Sequence, residues 1–167
     1  MKHSFLTSLR PLTLLALLFT GLLSTACKKD EATVSPADDD KIIQQYIADK
    51  AIRGAQRQAS GLYYVPLVTN PTAIKAQPGN TVEVLYTGTF LDGRVFDATS
   101  QRGNVPFGFV LGRGRVIQGW DEGIALMRKG EKSLLLIPSA LAYGSQGQGP
   151  IGPNTVLRFE VELVDVK

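Results

Sequence analysis

The spacing of apolar residues changes several times along the chain, and each change predicts a different element. Pro11 to Leu23 is an apolar run interrupted only by Thr13, Thr20 and Gly21. At about 13 residues it falls short of the roughly 20 a helix needs to span a bilayer. Between Lys41 and Gln58, the residues Ile42, Ile43, Tyr46, Ile47, Ala51 and Ile52 recur at helical spacing. Asp38, Asp39 and Asp40 precede them, placed to cap and charge a helix start. Gly54 interrupts this stripe. The helix has three open uses: docking on the domain, spacing it, or pairing with a second copy. Docking or spacing is favoured, because so short a two-helix interface buries little.

From Gly61 the period drops to two. Leu62 to Val65 reads as a strand that Pro66 pushes toward a sheet edge. Pro78-Gly79-Asn80 is a turn, and Thr81 to Phe90 alternates with Val82, Val84 and Tyr86 on one face. Asp92-Gly93 signals a hairpin into a strand beginning at Arg94. Ala98 to Val105 is a loop or bulge, and Phe107, Phe109 and Leu111 alternate after it. Ile117, Trp120, Ile124 and Met127 then return to helical spacing, predicting a helix of about three turns with Arg128 and Lys129 in its last turn and Gly130 closing it. Leu134 to Ile137 is a continuous apolar run suited to a central strand. Tyr143 to Asn154 is a Gly/Pro loop, and Thr155 to Val166 closes the domain with Phe159, Val161 and Leu163 facing inward. Strands joined by short turns, with one helix inserted late, predict an α+β fold: a curved antiparallel sheet wrapped around one short helix.

Composition narrows the chemistry. Residues 1–26 have the form of a secretory signal peptide, with Lys2, His3 and Arg10 ahead of the apolar run. Removing them leaves 16 of the 18 basic residues against 15 acidic ones and no histidine. Near-neutral charge without a basic, aromatic-studded patch argues against nucleic acid. Absence of imidazole excludes Ser-His-Asp and Cys-His catalysis, and with Cys27 the sole cysteine, any His/Cys metal site. The expected chemistry uses no metal and no cofactor. Residues 27–40 read as a flexible tether, 41–60 as the short helix, and 61–167 as the domain.

Large apolar residues gather at strand ends, loop edges and the late helix: Tyr86, Phe96, Phe107, Val116, Ile117, Trp120, Tyr143, Ile151 and Phe159. One acid, Asp97, follows Phe96, and taken alone it could simply pair with Arg102. Trp120 is either a core residue or the floor of a pocket. Together these residues suggest a concave apolar pocket with few polar groups.

Two resemblances extend this reading. Leu23-Ser24-Thr25-Ala26-Cys27 resembles a bacterial lipobox. That resemblance implies cleavage before Cys27, acylation of Cys27, and a lipid-anchored place in the bacterial cell envelope. Lys28-Lys29-Asp30-Glu31 is either a solvated tether or similar to a retention or surface-export tag. In the body of the chain, Tyr86-Thr87-Gly88, Gly93 through Phe96-Asp97, Pro106-Phe107, Val116 through Gly123, Pro138 through Gly144, and Phe159 through Leu163 resemble the FKBP-type peptidyl-prolyl cis-trans isomerases in order and spacing. The resemblance implies an isomerase that accelerates rotation about X-Pro bonds in folding envelope proteins. It implies Asp97, Tyr86, Phe96 and Tyr143 as catalytic residues. It places Phe107, Val116, Ile117, Trp120, Ile151, Phe159 and Arg102 around the substrate, Arg102 by holding Asp97 together with Tyr86. Proline-containing polypeptides, and the macrolides that fill this family's pocket, are the expected ligands of a monomer. The competing reading is a module that holds proline segments without turning them over.

Overall fold

Residues 36–167 are described by a computed structural model; the apolar run, Cys27 and the charged stretch after it lie outside them. The strands are β1 (Gln56–Arg57), β2 (Tyr63–Val68), β3 (Thr81–Thr89), β4 (Val95–Ala98), β5 (Phe107–Val110), β6 (Lys132–Ile137) and β7 (Leu157–Val166). They form one antiparallel sheet in the order β1-β2-β6-β7-β3-β4. β5 pairs with the N-terminal part of β3, Thr81 to Val84, whereas β4 pairs with its C-terminal end. Pro66, which has no N–H to give a ladder, lies in β2, outside which runs only the two-residue β1. Gly93 takes a φ of 94° in the turn between β3 and β4, a conformation open to glycine without strain.

The late helix, α2 (Gln118–Ala125), lies against the sheet with Trp120 and Ile124 buried. It stops well before Gly130, so Arg128 and Lys129 do not occupy its last turn. The reason is tertiary. Met127 offers its carbonyl to Ala76 N–H at 3.0 Å, and Arg128 forms a bridge with Lys75, so the chain leaves the helix to pair with a neighbouring segment. Met127 is still fully buried, which is why its spacing looked helical. α2 sits very close to β6. A Cβ added at Gly119 would lie 2.5 Å from Ile137 Cγ2, and one at Gly123 2.8 Å from Leu135 Cδ1.

The first helix, α1, covers Pro36–Asp49 rather than the stretch beginning at Lys41 and ending near Gln58. Asp38 and Asp39 therefore lie inside its first turn. It ends where Ala51 adopts a φ of 50° and Gly54 one of 73°, turning the chain back into β1. Of its three open uses, docking is seen in the described residues. Ile43 is fully buried against Tyr63, Val65, Leu134 and Leu136 on the outer face of the sheet. Asp40 Oδ1 accepts hydrogen bonds from Arg57 Nε at 2.7 Å and from Tyr63 Oη at 3.0 Å. The Arg57 guanidinium is the main reason that Asp40 titrates below the usual carboxylate range. β6 is thus covered on both faces, Leu135 and Ile137 toward α2 and Leu134 and Leu136 toward α1. That accounts for a run of four apolar residues where an open sheet would alternate.

Candidate active site

An open cleft of about 440 Å³ lies above Trp120, between α2, the inner face of the sheet and the loop after Tyr143. Trp120 is 5% exposed and its indole meets Tyr86 edge-on at 4.8 Å and Phe159 at 5.2 Å between ring centres. Phe96 from β4 meets Phe159 from β7 at 5.4 Å, nearly perpendicular. These geometries suit the quadrupoles of the rings and hold the walls in register. Phe107, from β5, is 41% exposed and forms a lip 6.4 Å from the Tyr86 ring. Val116 and Ile117 line the cleft where the chain enters α2. Ile151, 6% exposed, completes the wall from the long loop.

Gly88 makes this arrangement possible. It lies between Phe96 and Phe159 on β3, and a Cβ there would sit 2.7 Å from carbons of both rings. Only a residue without a side chain lets the two aromatics close over the strand.

Three polar side chains, Tyr86, Asp97 and Arg102, are mutually engaged. Tyr86 Oη donates to Asp97 Oδ2 at 2.5 Å. Arg102 donates from Nη1 to Asp97 Oδ1 at 2.7 Å and from Nη2 to Tyr86 Oη at 2.5 Å. Its guanidinium also sits 5.8 Å from the centre of the Tyr86 ring. Arg102 belongs to a short 3-10 turn, Thr99–Arg102, that follows β4 directly. Thr99 Oγ1 in that turn accepts from Tyr86 N–H at 3.1 Å and donates to Tyr86 O at 3.2 Å. The segment expected as a loop or bulge is therefore a clamp that bonds Tyr86 at both ends.

All the aromatic and aliphatic residues expected at the pocket, with Asp97, line one cleft. Arg102 does not; it stands behind Asp97 and Tyr86, holding them from outside. Four lining residues were not singled out from sequence: Arg115, Gln148, Gly149 and Pro150. The last three sit on a tight turn closed by reciprocal bonds between Gln148 and Ile151, at 2.8 and 2.9 Å. Their only sequence signal is the Gly/Pro content of the loop. Tyr143 Oη and Ile117 N–H, both at the cleft, have no hydrogen-bond partner among the described residues.

Burial, reinforced by the neighbouring Asp97 charge, pushes the hydroxyls of Tyr86 and Tyr143 above their ordinary value of 10.0; for Tyr86 the Arg102 guanidinium offsets part of the rise. Both tyrosines are therefore protonated donors at neutral pH. Turnover is expected to be flat from about pH 6 to about pH 9, since no histidine occurs among the described residues. A folded pKa above the unfolded one stabilises the fold fully below the unfolded value, and that contribution is lost as pH rises through the folded value. Thermal denaturation across pH should accordingly show no loss from these groups until pH passes about 10. A bell-shaped activity profile centred near neutrality would contradict this reading.

Among the described residues no group of three or more His, Cys, Asp or Glu side chains is placed to hold a metal ion.

Comparison with known proteins agrees with this architecture. The FKBP-type peptidyl-prolyl cis-trans isomerase family pattern matches residues 72–164. The peptidyl-prolyl cis-trans isomerase FPR2 of Saccharomyces cerevisiae is 57% identical over 96 residues, covering 56% of this chain and 70% of that one. The peptidyl-prolyl cis-trans isomerase Fkbp12 of Drosophila melanogaster is 43% identical over 108 residues, covering 64% of this chain and 99% of the fly protein. The crystal structure of FkpA from Escherichia coli superposes with a TM-score of 0.68 at 38% identity, covering 79% of this chain and 61% of that one. With a sheet curved over α2, an aromatic cleft above Trp120, and a family match spanning more than half its length, this chain belongs to the FKBP-type peptidyl-prolyl cis-trans isomerases.

Proposed function

We propose that the cleft above Trp120 is where an X-Pro bond rotates, with the proline ring on the indole between Tyr86, Phe107 and Phe159. The supporting observation is a cleft floored by Trp120 and walled by the rings of Tyr86, Phe96, Phe107 and Phe159, with Asp97 held beside them by Tyr86 and Arg102. Rotation makes and breaks no covalent bond. Its barrier, roughly 18–20 kcal/mol, is the loss of amide resonance. A planar amide is more polar than a twisted one, so transfer into an aromatic cleft disfavours the starting state more than the transition state. Ile117 N–H and Tyr143 Oη–H, both free to donate, would bind carbonyl oxygens of the substrate backbone. Asp97, held by Tyr86 and Arg102, would face the rotating carbonyl. Val116 and Ile151 would enclose the ring and exclude water.

The test is cis-trans exchange of a short proline peptide followed with and without protein, alongside Trp120 emission during titration with a macrolide ligand of the family. Acceleration together with a macrolide-dependent change in emission is the expected result. Acceleration without any emission change at saturating macrolide would place the reaction away from Trp120.

The envelope setting is also part of this proposal. It is supported by the lipobox-like residues before Cys27 and the apolar run ahead of them. Two acyl chains anchor stably where one does not. Proline-containing segments of folding envelope proteins are then the substrates, and the domain acts as a monomer. Cys27→Ser is expected to move the protein from the membrane fraction to the soluble fraction without altering peptide turnover. Unchanged membrane partition in the Cys27→Ser variant would remove the lipid anchor from the account.

A further inference from the structure

Asp39 is fully buried in the first turn of α1, and nothing in the chemistry above uses it. Its Oδ2 accepts two hydrogen bonds from Ser139, from the backbone N–H at 2.8 Å and from Oγ at 2.6 Å. Its Oδ1 is buried with no partner among the described residues. A carboxylate kept in this state opposes folding unless its contacts compensate. The place of Ser139 suggests what the contact does. The Ser139 carbonyl accepts from Ala142 N–H and from Gly144 N–H, both at 2.9 Å. Those are the residues on either side of Tyr143. The Gly144 carbonyl in turn accepts from Asn154 N–H at 2.8 Å, tying down the far end of the loop that carries Ile151.

One chain of bonds therefore runs from α1 to the cleft: Asp39 to Ser139, Ser139 to the two amides that bracket Tyr143, and Gly144 to Asn154. Asp39 lies 100 positions from Ser139 and outside the stretch matched by the family pattern. We propose that Asp39 is a positioning residue, through which the docked helix α1 fixes the turn that aims the Tyr143 hydroxyl into the cleft. The proposal rests on the reading of Tyr143 as a substrate donor.

It is tested in the full chain with Asp39→Ala, Asp39→Asn and Ser139→Ala, reading amide hydrogen exchange at Ala142 and Gly144 together with KM and kcat for a proline peptide. Asp39→Ala should speed exchange at both amides about tenfold, the equivalent of one net hydrogen bond, and raise KM by a similar factor with a smaller change in kcat. Asp39→Asn keeps a carbonyl acceptor for Ser139 and should restore both readouts to within about threefold. Ser139→Ala, which loses Oγ but keeps the backbone N–H bond, should fall between them, and it decides the matter if Asp39→Ala does not fold. Lower thermal stability with exchange and KM unchanged would reduce Asp39 to a structural contact and overturn the proposal alone. Faster exchange with KM unchanged would overturn the Tyr143 reading, and the proposal with it.

Discussion

Gly88→Ala is expected to remove nearly all turnover while leaving a folded protein. The added methyl would lie 2.7 Å from carbons of both Phe96 and Phe159. Neither ring can retreat freely. Phe159 is pinned by Trp120 at 5.2 Å and Tyr86 at 6.2 Å between ring centres, and Phe96 by Phe90 at 5.2 Å. Overpacking of this kind costs about 1–3 kcal/mol of stability. The effect on turnover should be larger, because the rings that must move are two walls of the cleft. A displacement of about 1 Å at a catalytic surface can cost on the order of 100-fold in rate. Peptide isomerisation and chemical denaturation measured on the same preparation separate the two losses. Full activity in Gly88→Ala would mean that the Phe96–Phe159 contact does not shape the reacting surface.

Asp97→Ala should give the opposite balance, with a large fall in turnover and almost none in stability. Its ion pair with Arg102 is open to water, the two side chains being 37% and 55% exposed, and pairs of that kind contribute only about 0–1 kcal/mol. Turnover should drop by about 100-fold, the low end of the range for losing one preorganised polar group beside reacting atoms. Arg102→Ala should cost less, because Asp97 still accepts from Tyr86 Oη. The ordering of the two variants is the decisive part. If Arg102→Ala were the more damaging, the guanidinium itself would be acting on the substrate and Asp97 would be its support.

The two expectations differ in how far they could be read from the residues alone. Asp97 stands beside Phe96 in a short strand after a turn signal, and the resemblance of that segment singled it out. Gly88 sits in an alternating strand, and its use emerges only when Phe96 and Phe159, on strands flanking β3, meet across it. The same contrast runs through the fold. Alternation in Thr81 to Phe90 and in Thr155 to Val166 predicts strands, because period-2 burial is a property of one strand against one core. Helical spacing from Ile117 to Met127 overran the true helix by two residues. Burial kept the period while the pairing of Arg128 with Lys75 took the chain out of the helix.

Local pattern determined the strands from β2 onward, where the turns between them fall, and which apolar residues face inward. Those follow from side-chain period and turn propensity, both carried by neighbouring residues. Tertiary structure decided the rest. It set α1 on the back of β2 and β6, brought Arg115 and Gln148 to the rim of the cleft, and joined Asp39 to Ser139. Each of these depends on the distance between segments far apart in the chain, and a contact of that kind leaves no period in the sequence for either partner to show.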